Sequence, residues 1–199
     1  SAVNSTGTVQ PVLTVQVGSF VSGPLQKVHV DFNAKVTKGQ VLAEVDPMIS
    51  KAQRAQAKAN LTSAKANLMQ TEAKLEQAKQ DWERAKILRP ANAIADSDYD
   101  LAKSTFEVAK ANVAVSQAMI EQSTAALQLA EANLGYTTIR SPVDGVVIDR
   151  KVDTGQTVAS QFQTPELFKV APDIEKRIFI FASVDEADIG LIRDAKQRE

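Results

Sequence analysis

A short β-type motif occurs twice in this chain, once on each side of a long segment with a helical pattern. The first copy, VTKGQVL, covers residues 36–42, and the second, VDTGQTV, covers residues 152–158. In both copies a glycine precedes a glutamine, where a turn with positive φ suits glycine. A Val-rich alternating stretch precedes each copy. The repeat therefore predicts two similar β half-domains that form one small barrel-like sandwich across an insertion.

The first half of the insertion has the pattern of one long helix. Asp46-Pro47 is a start signal, because aspartate can cap free N–H groups and proline is tolerated at the first helical position. Proline removes a backbone donor and restricts the residue before it, so we expect the helix to end near Leu88, ahead of Pro90. Apolar residues at 3-4 spacing predict a coiled-coil seam. These seam residues are Leu61, Ala64, Leu68, Thr71, Leu75, Ala78, Trp82 and Ala85.

A second helical pattern begins near Ser97 and runs to about Asn133. The sequence SDYD from Ser97 resembles a capping box in which aspartate replaces the usual glutamate or glutamine. Two apolar stripes follow. The first, which we assign to the hairpin seam, is Leu101, Ser104, Val108, Ala111, Val115, Ala118, Gln122, Ala125, Leu129 and Ala132. The second is Phe106, Ala109, Val113, Ser116, Ile120, Ser123, Leu127, Ala130 and Leu134.

One stripe is enough to pack a two-helix hairpin. The extra stripe indicates either contact with a neighbouring hairpin, in the same chain or another copy, or a broad band that faces the core. Arms of about 40 residues reach ~55–60 Å at 1.5 Å per residue, which is typical of a spacer or reaching arm rather than a catalytic pocket.

Two further β-like segments, residues 8–15 and 176–184, lie outside the repeat, and we expect them to pair with each other. The predicted fold is thus α+β and elongated: an antiparallel coiled-coil hairpin inserted in a split lipoyl-like β-sandwich, with strands of a partial β-barrel at the termini. The predicted boundaries are 1–15 and 167–199 for the barrel part, 16–46 and 136–166 for the lipoyl-like part, and 47–135 for the hairpin, with its tip at about 89–96.

Composition argues against several functional classes. The chain of 199 residues has 23 basic and 24 acidic side chains, so no electrostatic attraction to nucleic acid follows. It has no cysteine and one histidine, His29, which we interpret as a half-exposed strand residue rather than a metal ligand or catalytic base. We see no nucleophile–base pair or phosphate loop, and we expect neither catalysis nor a cofactor or metal.

The order of motifs along nearly the whole chain resembles the periplasmic adaptor, or membrane fusion protein, family of tripartite efflux pumps. Within it, the MacA-type branch, whose members serve ABC macrolide exporters, is the most similar. The segments that carry the resemblance are residues 21–23, 36–46, 133–147 (NLGYTTIRSPVDGVV), 155–158 (GQTV), 164–171 (TPELFKVA) and 184–190 (VDEADIG).

The resemblance implies an adaptor without enzymatic activity in the periplasm of a Gram-negative bacterium. It implies an inner-membrane transporter, most simply of ABC type, a TolC-like outer-membrane channel, and self-association as a hexamer. The resemblance also implies an inner-membrane anchor. The chain begins with Ser1-Ala2 and contains no apolar stretch of the ~18–20 residues that span a bilayer, so we expect a fragment and place the implied anchor outside it. An adaptor for an RND-type proton-driven pump is the alternative within the family.

A different class is also open, because the half-motifs look like halves of a biotinyl/lipoyl carrier domain. In such a carrier a modified lysine stands at the turn between the halves. Here that place holds Glu44-Val45-Asp46-Pro47, and Lys51 already belongs to the helical pattern. A carrier-like subunit of an enzyme complex therefore lacks its attachment point.

The family resemblance also identifies candidate site residues. The channel contact of such adaptors reads as Arg, Leu four residues later, Ser seven residues after that, and Asp five residues further on. Arg84, Leu88 and Asp100 match this spacing, whereas Ala95 stands at the serine position and Ser97 lies two residues beyond it. A loop of MacA-type adaptors carries a glutamine into the channel as a gate. Gln156, or the position of Thr154, corresponds to it here, and a plain β-turn is the alternative.

Overall fold

The computed structural model describes residues 6–160, 165–172 and 178–183. The described residues form two compact units, a helical unit at Pro47–Gly135 and a β unit built from the described residues on both sides of it. The predicted α+β fold is confirmed: a helical hairpin is inserted in a split β-sandwich, and a further strand pair lies toward the termini. The barrel-entry segment 184–190 lies outside the described residues.

The helical unit contains α1, Met48–Leu88, then one 3-10 turn, Arg89–Ala91, and then α2, Asp96–Tyr136. The α1 helix ends where Pro90 predicts, and it begins directly after the Asp46-Pro47 signal. The Pro47 carbonyl accepts the first helical hydrogen bond, 2.8 Å from the backbone nitrogen of Lys51. Neither helix of the described chain is long and apolar enough to cross a bilayer.

The predicted capping box at Ser97 is wrong. The α2 helix begins one residue earlier, because the Ala95 carbonyl accepts hydrogen bonds from the backbone N–H groups of Asp98 and Tyr99, each at 3.1 Å. Ser97 consequently lies inside the first turn. Asp96 and Asp98 place carboxylates in that turn, where they interact favourably with the positive end of the helix dipole.

The most deeply buried positions of the seam between α1 and α2 are small residues at heptad spacing. On α1 the buried residues are Ala57, Ala64, Ala78 and Ala85. On α2 they are Ala109, Ser116 and Ala130. The heptad position between Ala64 and Ala78 holds Thr71, whose hydroxyl donates a hydrogen bond to the Ser116 hydroxyl at 3.1 Å and so ties the two helices in one register. The α1 seam is therefore the one predicted.

The assignment of the α2 stripes is reversed. The stripe that contains Phe106 packs against α1, and its members are buried or half-buried. The stripe that contains Leu101 lies on the opposite face, and all its members are exposed. Periodicity identifies two apolar faces, but the turn at residues 89–95 decides which of them meets α1, and periodicity does not encode that turn.

The first sheet of the β unit has four antiparallel strands in the order β2-β9-β7-β4. Their bounds are Val15–Gly18, Glu166–Ala171, Gly145–Arg150 and Lys35–Val36 respectively. Each half of the sequence repeat thus contributes strands to one sheet.

The second sheet is also antiparallel, in the order β6-β5-β3-β8. Its strands are Thr138–Arg140, Val41–Val45, Gly23–Val28 and Thr157–Val158. One hydrophobic core includes residues of both sheets, among them Leu25, Leu42, Val147 and Phe168, all at most 1% exposed. The two half-motifs therefore share a single core, as the repeat predicts.

The two motif turns are equivalent, and each bonds to the other half of the repeat. Gly39 donates to the Ser141 carbonyl at 2.7 Å, and Gly155 donates to the Leu25 carbonyl at 2.8 Å. The φ angles are 85° at Gly39 and 89° at Gly155, so the prediction that glycine is needed there is confirmed.

The outer pair consists of β1, Thr6–Pro11, and β10, Ile178–Ser183, which are antiparallel with Val9 opposite Ile180. The expected pairing of the outer segments is confirmed for these residues. The predicted barrel boundary at residue 167 conflicts with β9, because Phe168 and Val170 are buried in the sandwich core. Val15 likewise belongs to a sandwich strand. The domain division remains a proposal, and we now place its last boundary after Ala171.

We expect the seam to reject larger side chains. Ala130→Leu should lower the free energy of unfolding by about 1–3 kcal/mol, because three extra carbons must fit where helices approach closely. Ala114→Leu, on an exposed α2 position, is the matched control and should change it by less than about 0.5 kcal/mol. Urea unfolding followed by circular dichroism measures both. Equal effects would mean that the seam is loosely packed.

A carboxylate–lysine cluster in the first sheet predicts a pH dependence. Glu166 accepts a 2.6 Å hydrogen bond from Lys151 and lies 3.4 Å from the Lys169 ammonium. The Lys151 hydrogen bond holds the pKa of Glu166 below its ordinary value of 4.5. The stabilisation is therefore present above about pH 4.5 and disappears as the pH falls through the lower, folded-state value.

Lys151→Met should accordingly reduce the loss of thermal stability between pH 7 and pH 3, because Glu166 loses the hydrogen bond that lowers its pKa most and keeps only Lys169. Melting temperatures at both pH values measure this loss, and Lys38→Met serves as an exposed control. An unchanged loss in Lys151→Met would contradict the assigned role of the pair.

Candidate functional site at the hairpin end

Arg84 and Leu88, one helical turn apart, lie on the same side of α1 shortly before the chain turns. The Arg84 side chain is 71% exposed and forms an ion pair with Asp81, three residues earlier. Leu88 is 41% exposed and is the last residue of the helix. A guanidinium can donate five hydrogen bonds, so donors remain for another protein beside the Asp81 bond.

The three other predicted contact residues follow the turn, and all are exposed. Ala95 supplies the backbone carbonyl on which α2 begins, Ser97 lies in the first turn of α2, and Asp100 lies at the start of the second turn. The structure thus brings all five predicted residues to one end of the helical unit, which we call the hairpin end, residues 81–101. Among the described contacts, none joins Arg84 or Leu88 to Ala95, Ser97 or Asp100.

Four residues of the hairpin end form a stack that the sequence reasoning missed. The Arg89 guanidinium lies 3.9 Å from the centre of the Tyr99 ring, and Tyr99 lies 4.7 Å from Trp82. The Lys86 ammonium is 5.5 Å from the Trp82 ring on the same helix. We call Arg89, Tyr99, Trp82 and Lys86 the aromatic stack. One aromatic residue on each side of Pro90 was the available signal, since an antiparallel hairpin brings such positions together.

Ile87 was also missed. Its side chain is 75% exposed, which is more than that of Leu88 beside it. Two neighbouring exposed aliphatic side chains at the end of a helix form an apolar surface suited to contact with another protein. The hydrophobic sequence pattern alone gave no sign of this, because Ile87 lies outside the seam.

The predicted gate residues lie in the second motif turn. The Gln156 side-chain oxygen accepts a hydrogen bond from the Asp153 backbone at 3.2 Å, and Gln40 does the same for Thr37 at 2.9 Å in the first turn. Gln156 thus closes its own turn in the same way as its counterpart, and Thr154 is exposed at that turn. The geometry accounts for Gln156 as a turn residue, and its gate role remains a prediction.

The described residues offer little for chemistry. His29 bonds to Glu44 at 2.9 Å, with both side chains well exposed. Within the described ranges there is no group of three or more His, Cys, Asp or Glu side chains that could hold a metal ion. The arrangement is suited to binding another protein through exposed helix ends and faces.

Comparison with known proteins is consistent with this geometry. Residues 13–169 match the family described as the RND membrane fusion protein barrel-sandwich hybrid domain. The pyoverdine export membrane fusion protein PvdR of Pseudomonas putida is 38% identical over 193 residues, which cover 97% of this chain and 49% of PvdR. The macrolide export protein MacA of Yersinia pestis is 33% identical, with 94% and 50% covered.

Among solved structures, MacA from Actinobacillus actinomycetemcomitans superposes with a TM-score of 0.83 at 36% identity, over 94% of this chain and 57% of that one. The chain spans about half the length of the curated relatives it matches. The family match covers most of the chain, and the solved relative shares its fold. This chain therefore belongs to the membrane fusion protein family of periplasmic adaptors, and within that family it is of the MacA type.

Proposed function

We propose that this chain is the hairpin-bearing part of a periplasmic adaptor that joins an inner-membrane transporter of ABC type to a TolC-like outer-membrane channel. The pump would serve drug efflux or another export process, as the names of the pyoverdine and macrolide export relatives suggest. The single observation that carries the proposal is the hairpin end, where exposed Arg84, Ile87 and Leu88 lie on α1 beside the exposed first turn of α2.

The chemistry of the hairpin end suits contact with the ends of other helices. A guanidinium presents a planar fork of donors to backbone carbonyls or carboxylates, and the ends of helices leave carbonyls unpaired. Ile87 and Leu88 add an apolar contact next to these polar bonds. Such a surface binds a protein that presents helix ends and small apolar depressions, as expected of a channel of the TolC type.

Self-association is supported by the outer stripe of α2, defined as the stripe that contains Leu101. Its large members Leu101, Val108, Val115 and Leu129 are between 60% and 67% exposed. A helix face with large apolar residues at heptad spacing is a surface that ordinarily packs against another helix. A groove of about 340 Å³ between α1 and α2 also opens beside Val108 and can receive a side chain.

The outer face of α1 is complementary to this stripe. Ala52, Ala59, Ala66 and Ala73 are exposed at the same heptad spacing and leave room for the large residues of α2. The α1 helix carries eight basic and four acidic side chains, and α2 carries six acidic and two basic ones. We therefore infer that α2 of one copy packs on α1 of the next. Such a head-to-tail contact forms a ring when the rotation between copies closes, and the family resemblance suggests a ring of six.

The likeness to MacA favours an ABC-type transporter, and an RND-type pump is the alternative because the matching family model is named for RND systems.

A lipoyl or biotinyl carrier is the alternative from another class. Against it, the strand before the insertion ends at Val45, and Lys51 lies in α1 rather than at a turn. A mass increment of a lipoyl or biotinyl group on protein from its native host would support the carrier.

We expect the hairpin end to dominate binding to the channel. In the full-length protein, Arg84→Glu or Leu88→Asp should weaken binding to a purified TolC-like channel by at least about tenfold, as is usual for central contact residues. Lys58→Glu, an exposed charge change elsewhere on α1, is the control and should leave the affinity unchanged. Surface-immobilised channel and titrated adaptor give the dissociation constants. Equal binding by all variants would refute contact through this end.

We expect the outer stripe to control assembly. Val108→Lys and Val115→Lys should shift the full-length protein from oligomer toward monomer, because an ammonium group in the contact loses its water and faces the basic α1 of the next copy. Gln117→Lys introduces the same residue on α2 outside the stripe and should not. Sedimentation velocity at equal concentrations resolves the species. Unchanged oligomers in both valine variants would mean that copies associate through another surface.

A further inference from the structure

The aromatic stack joins the two helices at the place where the buried seam between them ends. The last buried seam residue of α1 is Ala85, and alanine buries little apolar area. Beyond it the chain leaves the helix for the 3-10 turn. Trp82 on α1 and Tyr99 on α2 are both half-buried, and their rings form the aromatic contact between the two helices at the hairpin end.

A cation lies over each ring of the stack. The Arg89 guanidinium lies over Tyr99 at 3.9 Å, within the range of a cation–π interaction, and the Lys86 ammonium lies over Trp82 at 5.5 Å. Arg89 also pairs with Asp96 at 3.4 Å, so one side chain connects the turn both to the ring and to the first residue of α2.

The turn itself is held at two points by backbone bonds. The Ala93 N–H donates to the Leu88 carbonyl, and the Asn92 N–H donates to the Arg89 carbonyl, each at 3.1 Å. Asn92 has φ 51°, in the left-handed region that asparagine tolerates better than most residues. The backbone after Leu88 thus follows one defined path into α2.

Members of the stack alternate along the chain with the docking residues proposed above. Arg84 lies between Trp82 and Lys86, Leu88 precedes Arg89, and Asp100 follows Tyr99. A contact that fixes Arg89 and Trp82 against Tyr99 therefore fixes the spacing between the docking residues of α1 and those of α2. A surface that is ordered before binding loses less conformational entropy when a partner arrives.

We propose that the aromatic stack is a positioning device for docking: Trp82, Tyr99 and Arg89 act through Leu88, Arg84 and Asp100 and do not themselves bind the channel. This inference rests on the proposed function, since it assigns the stack a role in the same contact. The ring of Tyr99 is the required feature, and its hydroxyl is not.

Tyr99→Leu and Tyr99→Phe form the matched pair that tests the inference in the full-length protein. Tyr99→Leu removes the ring but keeps an apolar helix former, and it should weaken binding to a purified TolC-like channel by about tenfold. Tyr99→Phe keeps the ring and should bind within about twofold of the unaltered protein, as the stack requires no hydroxyl. Arg89→Gln removes one cation and one ion pair and should give an intermediate loss.

Two measurements without the channel separate positioning from direct contact. Trp82 is the only tryptophan of these 199 residues, so in a full-length background whose other tryptophans are changed to phenylalanine its fluorescence reports on the stack, and its emission should move to longer wavelength in Tyr99→Leu only. Hydrogen exchange of residues 86–98 should be faster in Tyr99→Leu and unchanged in Tyr99→Phe. Circular dichroism verifies that the helices remain folded in both variants.

Normal channel binding by Tyr99→Leu and Arg89→Gln would overturn the inference and leave the proposed function intact. Loss of binding in Tyr99→Phe to the same degree as in Tyr99→Leu, with fluorescence and exchange unchanged, would show that the hydroxyl touches the partner, which also overturns it. Failure of the unaltered protein to bind the channel would refute the proposed function itself.

Discussion

The pairing of β5 with β6 is the contact on which the rest of the chain depends, because these strands stand on either side of the helical insertion. Val41 is opposite Arg140 and Glu44 is opposite Thr138, and the Val45 N–H donates to the Thr137 carbonyl at 2.8 Å. This pairing brings together halves of the sandwich that are far apart in sequence. The equal lengths of the two helices allow this pairing. Each helix has 41 residues, so the second antiparallel helix ends beside the start of the first.

The packing of the hairpin seam has a second consequence. Because the α2 stripe that contains Phe106 already packs against α1, the large apolar residues of the outer stripe have no place inside the hairpin. Leu101, Val108 and Val115 are therefore left on the surface, although a two-helix protein with one apolar face per helix would bury such residues. An exposed apolar face of this kind is stable in water only in a protein that covers it with another chain, which is the physical basis for proposing assembly.

Much of the fold is predictable from local chemistry. Pro90 ends α1 at Leu88, Gly39 and Gly155 mark turns with positive φ, and the heptad pattern identifies the α1 seam. The choice between the two α2 stripes is not predictable in this way, because both have the same period and similar composition. The start of α2 was predicted at Ser97 for its hydroxyl, but the Ala95 carbonyl and the acidic first turn are sufficient to begin the helix one residue earlier.

The candidate site also has parts that the sequence predicts and parts that only the structure shows. The seam spacing predicts that Arg84 is solvated, whereas the same spacing fits Leu88 as a contact that closes the hairpin, and its exposure comes from the structure. Prediction of the aromatic stack requires the register between the two helices. The Thr71–Ser116 contact sets this register, and no local sequence pattern contains it. Gln156 shows what the sequence motif cannot distinguish. Its side chain bonds to its own turn as that of Gln40 does, so the motif alone does not tell a turn residue from a residue that lines a channel.

The central claim is that one end of the hairpin meets a channel while one face of α2 meets another copy of the chain. Photo-crosslinking in living cells tests both parts at once, with a photoreactive amino acid placed singly at Leu88, Val115 or Lys58 of the full-length protein. The account predicts a product with the outer-membrane channel from position 88, a product with a second adaptor from position 115, and neither from position 58. A channel product from position 115 without one from position 88 would contradict it.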